Sequence, residues 1–244
     1  YWVGGGSSAN WNATGNTNWG TASGTRDNAS VPGADDNVIF DNHANGNTAS
    51  TISASCTINS LVMTGWANTL THNASVTVTI DGANSSGHAV LMASGMTYTT
   101  GSASIFTFSN TSGTNKITTA GKSIQKIRFS GVGGTFQLQD TLTLVGAGTG
   151  STSTARFLGG TFDPNGQVVD FNGAGSFGID GTSNFYNLTR TGTNVKTDSF
   201  IIQDPITVTN SFNIVGNSSI NRVLVYAQTL GTAKTITLTG ATVS

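Results

Sequence analysis

Glutamate is absent from these 244 residues, and all 11 acidic residues are aspartate. Lys and Arg together number 10, so charged residues make up 9% of the chain, against roughly 25% in an ordinary globular protein. This shortage removes the residues that normally clothe helix surfaces. The formal net charge is −1 with no basic patch, which excludes the electrostatic footprint of a nucleic-acid partner. A single cysteine, Cys56, excludes an internal disulfide and a cysteine-based zinc site. No apolar run approaches the ~20 residues of a membrane-spanning helix, so membrane insertion is not expected.

What is abundant points one way. There are 32 Gly, accompanied by many Asn, Ser and Asp, residues that tolerate the backbone of tight turns. Thr, Val, Ile and 12 Phe suit a pleated, half-buried surface. Recurrent apolar alternation argues against disorder, despite so much Gly and Ser. The expectation is an all-β chain with many short strands. Those strands run from Ser55–Met63 to Thr235–Thr239 in turn-bounded steps. The alternation offers no strand between Met63 and Ser75, between Met92 and Ser104, between Phe108 and Ile124, or between Leu158 and Gln167.

An internal restart sets the architecture. Gly134-Thr135-Phe136 opens a segment that passes a polar turn and a short apolar strand. Gly160-Thr161-Phe162 then begins the same plan again. That offset suits one coil of a repetitive β-structure, in which each coil buries its apolar face against the next. Phe136, Phe162, Phe185 and Phe212 recur at similar intervals and are expected to stack as a core ladder. Hairpin signals at Asn45-Gly46, Asn165-Gly166 and Asn172-Gly173 are too few to connect a β-sandwich or jelly roll, which is the alternative fold. The reading is a parallel β-helix over residues 51–244, preceded by a Trp-rich capping segment over 1–50. Trp2, Trp11 and Trp19 lie in that segment. The end of a β-stack exposes an apolar cross-section, and large aromatics cover it economically. The alternative role for these three rings is a platform for glycans.

The segment Trp2-Val3-Gly4-Gly5, Asn18-Trp19 and Val31-Pro32-Gly33-Ala34-Asp35-Asp36-Asn37-Val38-Ile39-Phe40-Asp41 resembles the N-terminal part of a large group of phage and metagenomic virion proteins. Members are described as tail fibre, tailspike or virion structural proteins. The stretch Asn221-Arg222-Val223-Leu224-Val225, with Leu230-Gly231-Thr232-Ala233-Lys234-Thr235-Ile236-Thr237, is similar to a downstream rung of the same group. A looser similarity runs to the passenger repeats of autotransporter adhesins. The resemblance implies a right-handed parallel β-helix that continues beyond residue 244 and associates with other virion proteins or with itself, for instance as a homotrimer. It also implies a place on the virion surface, with host glycans as a partner. The alternatives are a bacterial extracellular adhesin or filament subunit, and a polysaccharide-cleaving tailspike.

Chemistry-bearing residues are sparse. Glycoside cleavage needs two carboxyls about 5–10 Å apart. Asp163 with Asp170, or Asp198 with Asp204, would supply them if adjacent coils brought them together. Both Asp163-Pro164-Asn165-Gly166 and Asp204-Pro205 also read as plain turns. His43, His72 and His88 show no metal-ligand spacing. Calcium is the one ion that Asp35, Asp36 and Asp41 could hold, although no Asp-x-Asp-Gly loop is present. Gly146-Ala147-Gly148-Thr149-Gly150 is followed by no helix to present amides to phosphate. Thr-x-Thr runs at Thr77–Thr79, Thr141–Thr143, Thr207–Thr209 and Thr235–Thr239 are spaced too irregularly for an ice-binding array. Seven Asn-x-Ser/Thr sequons, among them Asn73-Ala74-Ser75 and Asn187-Leu188-Thr189, match chance in so polar a chain. No catalytic residue, cofactor or resident metal is assigned.

Overall fold

A computed structural model describes residues 1–13, 18–43 and 48–243. The Asn45-Gly46 turn lies outside the described residues. The chain winds as a parallel β-helix with three strands per coil. The first coil holds β1 (Asn37–Asp41), β2 (Ser50–Ile52) and β3 (Cys56–Ile58), and the second β4 (Ser60–Thr64), β5 (Thr69–His72) and β6 (Thr77–Ile80). The third holds β7 (His88–Leu91), β8 (Thr97–Thr100) and β9 (Ile105–Phe108), and the fourth β10 (Thr114–Thr118), β11 (Ser123–Ile124) and β12 (Lys126–Phe129). The fifth holds β13 (Thr135–Leu138), β14 (Leu142–Leu144) and β15 (Ala155–Phe157), and the sixth β16 (Thr161–Asp163), β17 (Val168–Asn172) and β18 (Ser176–Asp180). In the seventh and eighth coils one long strand replaces two: β19 (Ser183–Thr191) precedes β20 (Ser199–Ile202), and β21 (Ile206–Val215) precedes β22 (Leu224–Ala227). β23 (Ile236–Leu238) and β24 (Thr242–Val243) begin a further coil.

Equivalent strands stack in parallel to form three faces. The first runs β1-β4-β7-β10-β13-β16, the second begins β2-β5-β8 and resumes at β11-β14-β17-β19-β21, and the third runs β3-β6-β9-β12-β15-β18-β20-β22. The two long strands turn a corner without leaving the ladder. Register shifts between Phe185 and Asn187, so the first half of β19 pairs with Ile206–Val208 and the second half with Ser211–Val215. Corners absorb the variation in coil length. Ser50 to Leu70 is one coil of 20 residues, and Leu70 to Tyr98 one of 28.

Alternation builds the core. On the third face Val78, Phe106, Ile127, Ala155, Ile179 and Ile202 lie directly over one another, all facing inward and buried. Such a column keeps like shapes in contact across each rung, and the interior between the faces stays dry. The restart at Gly134 and Gly160 is this repeat, with Thr135 over Thr161 and Phe136 over Phe162.

Six strands, β2, β5, β8, β10, β16 and β24, fall outside the runs that the alternation marks. In β8 the inward positions, over Leu70 and His72, are Tyr98 and Thr100 rather than aliphatic residues. In β10 the inward position under Phe136 is Asn115, which is buried and donates to the carbonyls of Ser112, Gly113 and Thr135. A satisfied amide can occupy a core position, but it breaks the apolar signal. β16 is short because Pro164, which has no N–H, follows it directly. The Phe ladder is also shorter than its spacing suggests. Phe185 contacts the Phe162 ring at 5.9 Å but pairs in register with Val208, and Phe212 pairs with Leu188 on another face. This coil advances the register by only 23 residues at Phe185, so Phe212, 27 residues on, falls past the column whether or not the strand shifts.

Candidate functional site

The N-terminal residues close one end of the solenoid. Trp2, Trp11 and Trp19 are buried, at 1%, 4% and 1% exposure. Trp2 stacks on Phe40 at 5.6 Å, Trp19 meets Trp2 and Trp11 edge-on at 5.2 and 5.4 Å, and Phe40 leans on Trp66 at 4.7 Å. The indole N–H groups donate inward too, from Trp11 to Ser50 Oγ at 2.7 Å and from Trp19 to the Trp11 carbonyl at 2.8 Å. The same segment closes strand edges. Trp2 N–H donates to the Ile39 carbonyl of β1, and Ala9 and Trp11 exchange bonds with Thr51 of β2. A buried ring cannot stack on a sugar, so the glycan-platform alternative for these three residues fails. They act as the lid of the core.

The carboxylate pairs do not assemble. Asp163 sits on the first face, accepting from Gln137 Nε2 at 2.7 Å and from the Asn165 N–H at 2.9 Å. Asp170 sits on the second face of the same coil, between Thr143 and Thr189, with Oδ1 buried and unpartnered. Burial raises its pKa. Asp198 and Asp204 flank β20, about 20 Å apart along extended chain. Asp198 is buried at 1% exposure and accepts from the Gly175 N–H at 2.7 Å and from the N–H and hydroxyl of Thr193. Burial opposes its charge, yet these bonds and Arg190, at 3.9 Å, outweigh it and lower its pKa. Asp204 accepts from the Gly181 N–H at 2.9 Å and from Lys234 at 3.4 Å. Each is a corner or core fastener.

Arg190 has no counterpart in the sequence-level reading. It occupies an inward position in register with Phe171 and Ile214 and is fully buried. Its guanidinium lies 4.4 Å from the Phe177 ring centre and donates to the carbonyls of Phe171, Thr191 and Gly175. The remaining candidates are scattered. Asp36 and Asp41 accept turn bonds from Gly33 and His43. Among the described residues no three His, Cys or Asp side chains converge on a point. His72 is buried between Tyr98 and the Val76 carbonyl, while His88 lies on β7 beside Lys116. The threonines do come into register over a few coils: Thr57, Thr79 and Thr107 stack in one row, and Thr69 and Thr71 lie over Thr97 and Thr99. The first row then turns into Arg128, Arg156 and Asp180, so it forms no extended array.

Several clefts open among the described residues, and two places interrupt or end the three-faced ladder. One is a cleft of about 350 Å³ on the first face, between the sixth and seventh coils. There β16 pairs with β13 and has no partner on its other edge, while Ser183–Phe185 pair onward to Ile206–Val208. The half-buried rings of Phe157 and Phe162, 5.1 Å apart, reach this opening, and Thr161, Thr182 and Asn184 rim it. The other is the far end of the solenoid. Of the 13 large apolar side chains that are exposed, eight fall between Val215 and Val243, including Leu224, Leu230 and Val243 at 63%, 94% and 61%. They lie on the last described coils, on which no further described coil stacks. Among the described residues no helix is long and apolar enough to cross a membrane. Comparison of the chain with protein-family models, curated proteins and solved structures finds no match.

Proposed function

We propose that this chain is a non-enzymatic structural protein of a bacteriophage particle: a β-helical fibre, spike or surface decoration that serves as a rigid display scaffold. The observation that carries the reading is the rod itself: parallel ladders stack coil on coil along three faces around a dry core, and a tryptophan lid pairs two strand edges. Continuous ladders of this kind suit a stiff displayed element, which can associate with other virion proteins or with copies of the chain, as in a trimer. The resemblance of the Trp2–Asp41 segment to virion proteins supports the particle as its setting. Separation of the carboxylates favours display over polysaccharide cleavage. Electron microscopy of purified particles, decorated with antibody raised against this chain, tests the proposal. Label on the particle surface is the expected result, and label confined to bacterial envelopes would overturn it.

A further inference from the structure

We propose that the cleft between the sixth and seventh coils is a binding site for a neutral saccharide, using Phe157 and Phe162 as its apolar floor and Thr161, Thr182 and Asn184 as its polar rim. The inference is independent of whether the rod belongs to a particle. It starts from the interruption of the first face. Residues of a parallel strand address their two neighbours alternately, so the edges of β16 and of Ser183–Phe185 that face one another present backbone N–H and C=O groups with no ladder partner. The core does not stop at this gap, because Phe162 still touches Phe185 at 5.9 Å and Phe157 meets the same ring edge-on at 5.7 Å. The aromatic column therefore continues beneath an opening in the hydrogen-bonded wall. Phe157 and Phe162 are left half-buried there, whereas Phe129 and Phe136 one coil away are at 1% and 0% exposure.

The local sequence explains the gap. Pro164 stops β16 after three residues, and Leu158-Gly159-Gly160 turns the preceding corner, with Gly160 at φ +76. Any side chain at Gly160 would press on the Gly131 and Gly134 carbonyls, 2.5 and 2.7 Å from the position of its Cβ, so the corner stays bare.

The chemistry of the cleft selects its occupant. No lining residue is charged. Among the described residues the side-chain polar groups of Thr161, Thr182 and Asn184 have no hydrogen-bond partner, and the three residues are exposed. A pyranose offers C–H groups on its faces and hydroxyls around its rim. An aromatic floor takes the first, and free hydroxyl, amide and backbone groups take the second. The volume lies at the small end of the ~300–1,000 Å³ range for ligand sites, which suits one or two sugar units of a longer chain passing over the surface. An anionic glycan would find no cation in the lining.

The test uses this chain with a panel of neutral oligosaccharides (maltohexaose, cellohexaose, and dextran and mannan oligomers), with heparin oligosaccharides as the anionic comparison. Titration followed by calorimetry and by amide chemical shifts should show one neutral class binding, with shifts centred on Thr161, Thr182 and Asn184. Thr182→Arg and Asn184→Arg place bulk and charge at exposed positions and should weaken that binding by at least about tenfold, with the circular dichroism unchanged. The shift map on the unaltered chain stands even if a variant fails to fold. Absence of neutral binding at millimolar concentration, preference for heparin, shifts centred elsewhere, or unchanged affinity in both folded variants would each overturn the proposal.

Discussion

Acidification from pH 7 to pH 4 should weaken this fold through one residue, His72. Its ring is enclosed between coils, with Nε2 3.0 Å from the Val76 carbonyl and Nδ1 2.8 Å from the Tyr98 hydroxyl. The carbonyl can only accept, so Nε2 carries the proton and Nδ1 accepts from Tyr98. The neutral imidazole is thus satisfied on both sides, and its ring packs edge-on against Phe106 at 5.2 Å. Burial lowers its pKa from 6.5 to about 4. Between those values the unfolded chain binds a proton that the folded chain refuses, so stability falls as pH drops through this window and levels off below it. At 1.36 kcal/mol per pKa unit the loss is about 3 kcal/mol, a large share of the net stability of a typical domain. Denaturant titrations at pH 7, 6, 5 and 4 measure it. The variant His72→Gln retains an amide donor and acceptor without a titrating group and should lose most of the pH dependence above pH 4. A small slope of the same sign should persist from His88, whose pKa is lowered by burial and by Lys116. If His72→Gln shows the full wild-type loss between pH 6.5 and 4, the assignment is wrong.

Asp198→Asn should cost about 3–5 kcal/mol, because Arg190 would remain buried without its carboxylate, and adding Arg190→Met should recover part of that loss; a double-mutant cycle by denaturant unfolding measures the coupling. The folded pKa of Asp198 is lowered, so its contribution is present above the unfolded value and is lost as pH falls through the folded one, below the His72 window. Burial raises the Cys56 thiol to about 11. Native protein at pH 8 should therefore react with a thiol reagent far more slowly than urea-unfolded protein, and equal rates would show that the thiolate is accessible.

The solenoid was legible because its repeat is carried by residues with one job. Gly134-Thr135-Phe136 and Gly160-Thr161-Phe162 each turn a corner and drop a ring into the core, and they lie in direct register. The parts that escaped depend on contacts between coils. A charged residue breaks apolar alternation at Arg190, but β19 runs on to Thr191 and buries that arginine among carbonyls and a phenylalanine ring. Asn115 hides a core position in the same way. The three tryptophans are legible as aromatics near an end, but their inward orientation follows from partners about 40 residues away. The cleft leaves only an indirect mark, Pro164 and the Gly159-Gly160 corner, because an absent strand pairing is a property of two coils together.

The lid has a consequence for the order of folding. The lid can be placed only after the coils that it covers. Trp2 bonds to Ile39 and Thr48, Trp11 to Ser50 and Thr51, and both indoles rest on Phe40, which in turn leans on Trp66. Until the first two coils have wound, these rings have nothing to cover, and the nascent chain carries three exposed tryptophans. Coils, by contrast, need only the neighbour made immediately before them. Nucleation therefore belongs to the coils, and closure of the lid completes the native state.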